Sequence, residues 1–158
     1  MSTLRWRPYS IAKLGLTIDV VEGATVDERD AGPLHVVQQF HPGFQLGTWL
    51  GPEVTLAWWR GRFQPTAALG PESSIQVCGR PAHRQEVTTA ADTATGGFTT
   101  PGGGIAERTS QTPARVHVAV AGTTSAGIGF VVSWVVDRDM RDRLRGDEDH
   151  FLASIACS

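Results

Sequence analysis

The feature that most constrains the fold is an apolar hairpin pattern between residues 115 and 136. The segment RVHVAVA is followed by the turn sequence GTTSAG and then by IGFVVSWVV. Two apolar runs separated by small turn-forming residues are typical of an antiparallel β-hairpin. The second run is apolar on both faces except at Ser133, so we expect it in the middle of a sheet that is covered on each side. Its Trp134 is therefore predicted to be a structural core residue.

Shorter strand patterns precede this hairpin. In KLGLTIDVV, residues 13–21, apolar and polar residues alternate, which predicts a strand with one solvated face. The segments LHVVQQF, SSIQVCG and RQEVTT predict further strands, and Gly79 and Pro81 mark a turn or a bulge between the last two. These patterns together predict a chain that is mostly antiparallel sheet.

The segment EVTLAWWRGRF, residues 53–63, is also interpreted as a strand. On a strand, Trp58 and Trp59 point to opposite faces, and one face changes from apolar to basic at Arg60 and Arg62. Two interpretations stay open. Either both tryptophans belong to the core, or Trp59, Arg60 and Arg62 form a protein-binding patch, because Trp and Arg are favoured interface anchors.

Residues 91–114 are rich in Gly, Thr, Ala and Pro and have neither a strand nor a helix period. A segment of this length without periodicity predicts a long loop that is either functional or disordered. The run Gly102–Gly104 within it is followed by Ile105 and Ala106, where a phosphate-binding loop would need Lys and then Ser or Thr. We therefore expect no bound nucleotide here.

The helix signal is concentrated at the end of the chain. Acidic residues at 147–149 suit the positive end of a helix, and a helix is predicted from about Asp147 to Ala156. Such a helix is too short to be stable alone, so its apolar face must dock on the sheet. We expect Phe151 and Ile155 to be structural residues that close the core.

Charge and composition exclude several kinds of partner. The formal net charge is −2, so the chain has no overall positive field that would hold nucleic acid. No run approaches the roughly 18 apolar residues of a membrane-spanning helix, so we expect no membrane insertion. The N-terminal MSTLRWRPYS lacks the segments of a secretory signal, which predicts a cytoplasmic protein.

Neither the histidines nor the cysteines indicate a metal or a cofactor. Five histidines are scattered singly, without the close spacing typical of metal ligands, and no pair of groups stands out as acid and base. We expect no metal, no cofactor and no catalytic residues. Cys78 and Cys157 are interpreted as two reduced core thiols, and the alternative is a disulfide that closes the C-terminus.

The last third of the chain resembles the PsbP-like superfamily, with its PsbP, Mog-like and DcrB-like branches. The similar features are the long hairpin at 115–136, a charged link and a terminal helix in which Phe151 is followed by Ser154 and Ile155. The passage IQVCGRPAHR, with Gly79 and Ala82, and the opening RWRPYSIAKLGLTIDVV with its Tyr9 are also similar to that group.

This resemblance implies a single PsbP-like domain of the α+β class over residues 1–158, in which helices pack on an antiparallel sheet of about six strands and the C-terminal helix closes the core. It also implies a protein partner, because members of the group mostly bind proteins. We therefore expect a non-enzymatic protein-binding or adaptor domain, for example a chaperone or immunity partner in a bacterial secretion system. The alternative is a ligand-binding domain or enzyme that uses the 91–114 loop as a lid.

Overall fold

The computed structural model describes residues 3–157, which form twelve strands and two short α-helices. The strands are β1 (Trp6–Ile11), β2 (Leu16–Val21), β3 (Asp27–Ala31), β4 (Leu34–His41), β5 (Phe44–Gly51), β6 (Ala68–Val77), β7 (Arg80–Thr89), β8 (Asp92–Thr99), β9 (Ile105–Thr112), β10 (Arg115–Thr123), β11 (Gly129–Asp137) and β12 (Ala156–Cys157). The helices are α1 (Leu56–Arg60) and α2 (Arg145–Ala153), and single 3-10 turns lie at Ala12–Leu14 and Arg138–Met140. Within this described part, neither helix is long and apolar enough to cross a membrane.

The strands form three antiparallel sheets. The central sheet has seven strands in the order β3-β4-β5-β11-β10-β7-β6, one more than the roughly six strands that the resemblance implied. A second sheet has the order β1-β2-β12, and β8 and β9 form a separate hairpin. The architecture is therefore mostly antiparallel sheet with a small helical part, in agreement with the broad α+β class.

Strand β11 is the fourth of the seven central strands, and it pairs with β10 and β5. The predicted hairpin and its central position are therefore confirmed. Trp134 and Ser133 are both buried, although they point to opposite faces of the sheet. Burial on both faces explains why this strand is apolar almost throughout, whereas β2 alternates.

The main core lies between the inner face of the central sheet and a layer made of the three-stranded sheet and α2. Strands β1 and β2, the four middle strands of the central sheet and α2 all contribute to it, through buried side chains that include Leu16, Ile18, Val20, Val37, Leu46, Leu50, Val118, Val120, Phe130, Val132, Trp134, Phe151 and Ile155. A smaller cluster on the outer face holds α1 against the sheet through Val54, Leu56, Trp59, Val87, Ala119, Ala121 and Val131. The inner face of the central sheet is thus covered over β4, β5, β10 and β11, and the outer face is covered in part.

Helix α2 begins two residues before the predicted start and ends three residues before the predicted end. It ends early because the Ser154 hydroxyl donates a hydrogen bond to the Phe151 carbonyl at 2.6 Å and accepts one from the Asp19 amide at 2.9 Å. Such a side-chain bond competes with continuation of the helix, and it ties the chain to β2. The chain then returns to strand in β12.

The charged residues around the start of α2 form a partly buried ion-pair cluster. Glu148 is fully buried, and its carboxylate pairs with Arg141 and Arg145 at 3.2 Å each. Arg141 also donates to Glu86 of β7 at 3.1 Å. Because a buried carboxylate is tolerated only when it is paired, this cluster fixes the position of α2 against the central sheet.

Cys78 and Cys157 form a disulfide, so the interpretation as two reduced thiols was wrong. Their separation of 79 residues in sequence gave no sign of proximity. The topology brings them together, because Cys78 and Gly79 form the tight turn between β6 and β7 and Cys157 belongs to β12 beside β2. The bond joins β12 of the three-stranded sheet to the turn between β6 and β7, at one edge of the central sheet.

The predicted loop at 91–114 is instead the β8–β9 hairpin. Its register runs from the pair Asp92 and Thr112 to the pair Thr99 and Ile105. Most of its described side chains are exposed, so burial imposed no alternating pattern on that part of the hairpin. The frequent threonines, which favour extended backbone, were the available signal.

The segment 53–63 is not a strand. The neighbouring segment FQLGTWLG forms β5, and α1 follows it after a turn. Strand β5 was not predicted, although its sequence has a strand signal. Phe44, Leu46 and Leu50 lie at even positions, with Gln45 between the first two, and this two-residue period is typical of a strand with one apolar and one polar face.

Helix α1 forms because Thr55 caps it. The Thr55 hydroxyl accepts a hydrogen bond from the Trp58 amide at 3.1 Å, as an N-cap residue does. Leu56, Trp59 and Phe63 recur at a helical spacing and turn towards the sheet. Trp58 and Trp59 therefore diverge as neighbours on a helix, so that Trp59 is buried and Trp58 is only partly covered.

Candidate binding site on the outer face of the sheet

A cleft of about 230 Å³ opens on the outer face of the central sheet, next to α1. We call it the Arg62 cleft. Residues from β4, β5, β10, β11 and the α1 region line it, namely Gln38, Gln45, Leu46, Gly47, Trp49, Trp59, Arg62, Phe63, His117, Ser133 and Val135. None of these side chains is a carboxylate, so the formal charge of the lining comes from Arg62 alone when His117 is neutral.

The floor of the cleft is set by the register of neighbouring strands. Gln38 pairs with Gly47, and Gly47 pairs with Ser133, so two small residues lie side by side at the centre. The adjacent row carries Val135 opposite His117. Small side chains between larger ones leave a depression in the sheet surface, and this depression is the base of the cleft.

Gly47 also determines where the Trp49 indole lies. A Cβ atom at position 47 would come within 2.6 Å of the Trp49 Cη2 atom, which is closer than atoms can approach. The absence of a side chain there lets the Trp49 ring fold back along β5, over the strand backbone. Trp49 thus provides a flat aromatic surface at the edge of the cleft.

Arg62 packs against this surface. Its guanidinium carbon lies 4.6 Å from the ring centroid of Trp49 and 5.1 Å from that of Trp58, distances typical of cation–π contacts. Within residues 3–157 no carboxylate lies within ion-pair distance of Arg62, although the residue is exposed. Partial burial of the guanidinium lowers the pKa of Arg62, but an arginine stays charged in proteins.

An aromatic chain forms the opposite wall. Phe63 meets Trp59 edge-on at a centroid distance of 4.9 Å and meets His117 edge-on at 4.8 Å. His117 Nε2 lies 3.1 Å from the Thr89 hydroxyl, and burial lowers the pKa of His117 to about 4. The imidazole is therefore neutral at pH 7, and the cleft carries a single positive charge.

The structure separates the three predicted partner-binding residues, Trp59, Arg60 and Arg62. Trp59 is only 2% exposed, so it supports α1 and offers no exposed anchor. Arg60 donates to Gln85 at 3.0 Å and lies 3.6 Å from Glu72 across the β6–β7 side. Arg62 and the buried Trp59 line the cleft, whereas Arg60 does not, and of the three only Arg62 brings an exposed side chain to it.

Trp49, Gln45 and His117 line the cleft but were not singled out in the sequence. Each lies on a different row or strand, and their proximity depends on strand order. The alternation in FQLGTWLG could have placed Gln45 and Trp49 on one face of a strand. No sequence signal would have brought His117 to the same place.

A larger cavity of about 540 Å³ adjoins the Arg62 cleft. It shares Arg62 and Phe63 with the cleft, and its far side is lined by Asp92 and Thr112, the first pair of the β8–β9 hairpin. The base of the hairpin therefore lies next to the cleft. This position is the one that the lid alternative for residues 91–114 requires.

A second group of titratable side chains lies at the β3–β4 edge. The two ring nitrogens of His35 lie 2.7 Å from carboxylate oxygens of Asp30 and Glu28, and Glu28 also accepts a hydrogen bond from Tyr9. The hydrogen bond to Asp30 is the main cause that raises the pKa of His35. Because both nitrogens of the ring are engaged, this group is a satisfied ion cluster at an exposed sheet edge.

Comparison with known proteins identifies a structure with a similar fold but no matching sequence family. Neither a protein-family model nor a curated protein sequence matches the chain. The chain is similar to the solution structure of cyanobacterial PsbP (CyanoP) from Synechocystis sp. PCC 6803, with a TM-score of 0.61 over 99% of this chain and 95% of that chain. The sequence identity is 13%, so the likeness shows the fold alone. The expected PsbP-like fold is confirmed.

Proposed function

We propose that this chain, which has the PsbP-like fold, is a non-enzymatic protein-binding or adaptor domain. The observation that supports it is the cation–π pair of Trp49 and Trp58 with Arg62, whose guanidinium has no carboxylate partner in residues 3–157. Tryptophan and arginine are the residue types that most often dominate the energy of a protein interface. We call these three residues the Trp–Arg surface.

The chemistry of the cleft supports binding over catalysis. The cleft has a hydroxyl at Ser133 and an imidazole at His117, but no hydrogen bond joins them within the described chain. A nucleophile needs a base within hydrogen-bond reach, and the base in turn needs an orienting group. His117 instead bonds to Thr89, which is not acidic.

One observation favours the alternative of a ligand-binding domain or enzyme with a lid. The cavity at the base of the β8–β9 hairpin shares Arg62 and Phe63 with the cleft, so a movement of the hairpin would change access to both. A lid would close over a bound small molecule. The protein-binding proposal instead has the hairpin as a second contact for the partner.

The state of the cysteines bears on the compartment of the protein. A cytoplasmic location stays a prediction, and the Cys78–Cys157 disulfide counts against it, because such bonds persist mainly in oxidising compartments. A chaperone or immunity partner of a bacterial secretion system also stays a prediction. An adjacent gene for a secreted effector would support that role, and a metabolic operon would support the lid alternative.

Partner capture tests the Trp–Arg surface. We expect Arg62→Glu to lose the proteins that the parent chain captures from its native host, with a fall in affinity of roughly tenfold or more, because the change reverses the charge at the proposed anchor. The measurement is affinity capture followed by titration of each recovered partner.

The matched control is Arg5→Glu. It makes the same charge change at an exposed residue just before β1, which belongs to the sheet on the opposite side of the molecule. It should retain every partner at the parent affinity. If Arg62→Glu has an unchanged melting temperature and also retains every partner, the Trp–Arg surface is not the binding site.

A further inference from the structure

We propose that the Arg62 cleft binds a small aromatic carboxylic acid, with the Arg62 guanidinium as the anion receptor. This inference goes beyond the proposed protein-binding function and does not rest on it. It concerns a free small molecule of the size of benzoate, held in the cleft of the purified chain.

The charge of the cleft selects an anion. Arg62 supplies one positive charge, and no carboxylate is among the lining residues. Because His117 is neutral above a pKa of about 4, it neither adds to nor offsets that charge at pH 7. An arginine fork matches the two oxygens of a carboxylate, and the resulting pair of hydrogen bonds is stronger than neutral ones.

The position of the guanidinium is set in advance. Contacts of 4.6 Å to Trp49 and 5.1 Å to Trp58 restrict the side chain without using its N–H donors in an ion pair. Arginine has five such donors, and ordering the side chain before a ligand arrives reduces the entropy that binding would cost. The other arginine of this region, Arg60, already bonds to Gln85.

The volume and the apolar lining of the cleft favour a single aromatic ring as the part of the ligand that carries the carboxylate. A volume of about 230 Å³ is below the roughly 300 Å³ at which pockets for drug-sized ligands begin, so a single small ring fits better than a larger molecule. Trp49, Phe63 and Val135 present apolar surface for the ring. The Gln45 side chain and the Ser133 hydroxyl add polar groups to the lining.

Titration calorimetry with benzoate tests this site, and benzamide serves as the uncharged analogue of nearly the same shape. We expect benzoate to bind the parent chain with one site at millimolar concentration, and benzamide to bind roughly tenfold or more weakly because it lacks the charge. Arg62→Gln should lose the benzoate affinity by a similar factor. Equal affinities of the parent chain for benzoate and benzamide, or no benzoate binding, would overturn the proposal.

Two further variants test whether a loss of benzoate affinity arises in the cleft itself or from any change of charge nearby. Arg60→Gln removes the same charge from α1 but does not line the cleft, so it should keep the parent affinity. Gly47→Ala keeps the charge but forces the Trp49 ring to move, so it should weaken benzoate binding. Parent affinity in Gly47→Ala, or equal losses in Arg60→Gln and Arg62→Gln, would contradict the assignment of the site. Because no partner protein is present, failure of this test leaves the capture experiment unaffected.

Discussion

Loss of the Cys78–Cys157 disulfide is expected to lower the free energy of unfolding by about 4.5 kcal/mol, since the bond closes a loop of 79 residues. In the chain-entropy account, the cross-link restricts the unfolded chain, and the restriction grows with the logarithm of the loop length. Denaturant unfolding of the parent chain with and without a reducing agent gives this difference directly. The double variant Cys78→Ser with Cys157→Ser should match the reduced parent.

The control for this measurement is the double variant under both conditions. It has no disulfide, so the reducing agent should not move its transition. If the parent chain also shows no change, and its thiols react with an alkylating agent before unfolding, the two cysteines are reduced in solution and the bond between the two sheets does not form.

Phe151→Ala is expected to destabilise the protein by about 3 to 5 kcal/mol, the usual cost of removing a fully buried aromatic ring. Phe151 has no exposed surface, and its ring lies 6.0 Å from Trp134 and 6.2 Å from Trp6, measured between centroids. Since a folded domain has a total stability of about 5 to 15 kcal/mol, the loss is a large share of it. Thermal and denaturant melts measure the change.

Leu152→Ala is the comparison for Phe151→Ala. Leu152 neighbours Phe151 on α2 but is only partly buried, so its truncation should cost clearly less. This contrast tests whether α2 completes the core or remains an exposed segment for a partner. A fall of less than a degree or two in the melting temperature of Phe151→Ala would favour the exposed segment.

The strands that the sequence predicted best are those with at least one well-buried face. Strand β2 alternates because only one of its faces is covered, and β11 is apolar on both faces because it lies in the middle of the sheet. The described side chains of the β8–β9 hairpin are mostly exposed, so burial did not require an apolar period there. Periodicity detects strands through burial, and it fails where burial is absent.

Helix α1 shows a different reason for failure. It has only five residues, and the segment 53–63 contains Val54, Thr55 and two tryptophans, which are residue types that favour strands. The Thr55 cap and the contacts of Leu56 and Trp59 with the outer face outweigh that local preference. Local propensity is a weak guide to a segment whose conformation depends on tertiary packing.

The candidate site was predicted in part. Arg62 and the importance of neighbouring tryptophans could be inferred from composition, since these residue types are common at interfaces. Which tryptophans line the surface could not be inferred, because Trp59 of α1 is buried against the sheet while Trp49 comes from β5. The floor of the cleft depends on the cross-strand pair of Gly47 and Ser133, and such pairs follow from topology.

The most direct test of the central claim, that binding occurs at the Trp–Arg surface, is to follow the five tryptophan indole N–H resonances while a captured partner is added. Trp49 and Trp58 contact Arg62 on the outer face, whereas Trp6 and Trp134 belong to the inner core layer next to α2. We predict that the resonances of Trp49 and Trp58 shift and that those of Trp6 and Trp134 stay in place. Shifts confined to Trp6 and Trp134, with Trp49 and Trp58 unchanged, would contradict the account and move the binding site to the opposite side of the molecule.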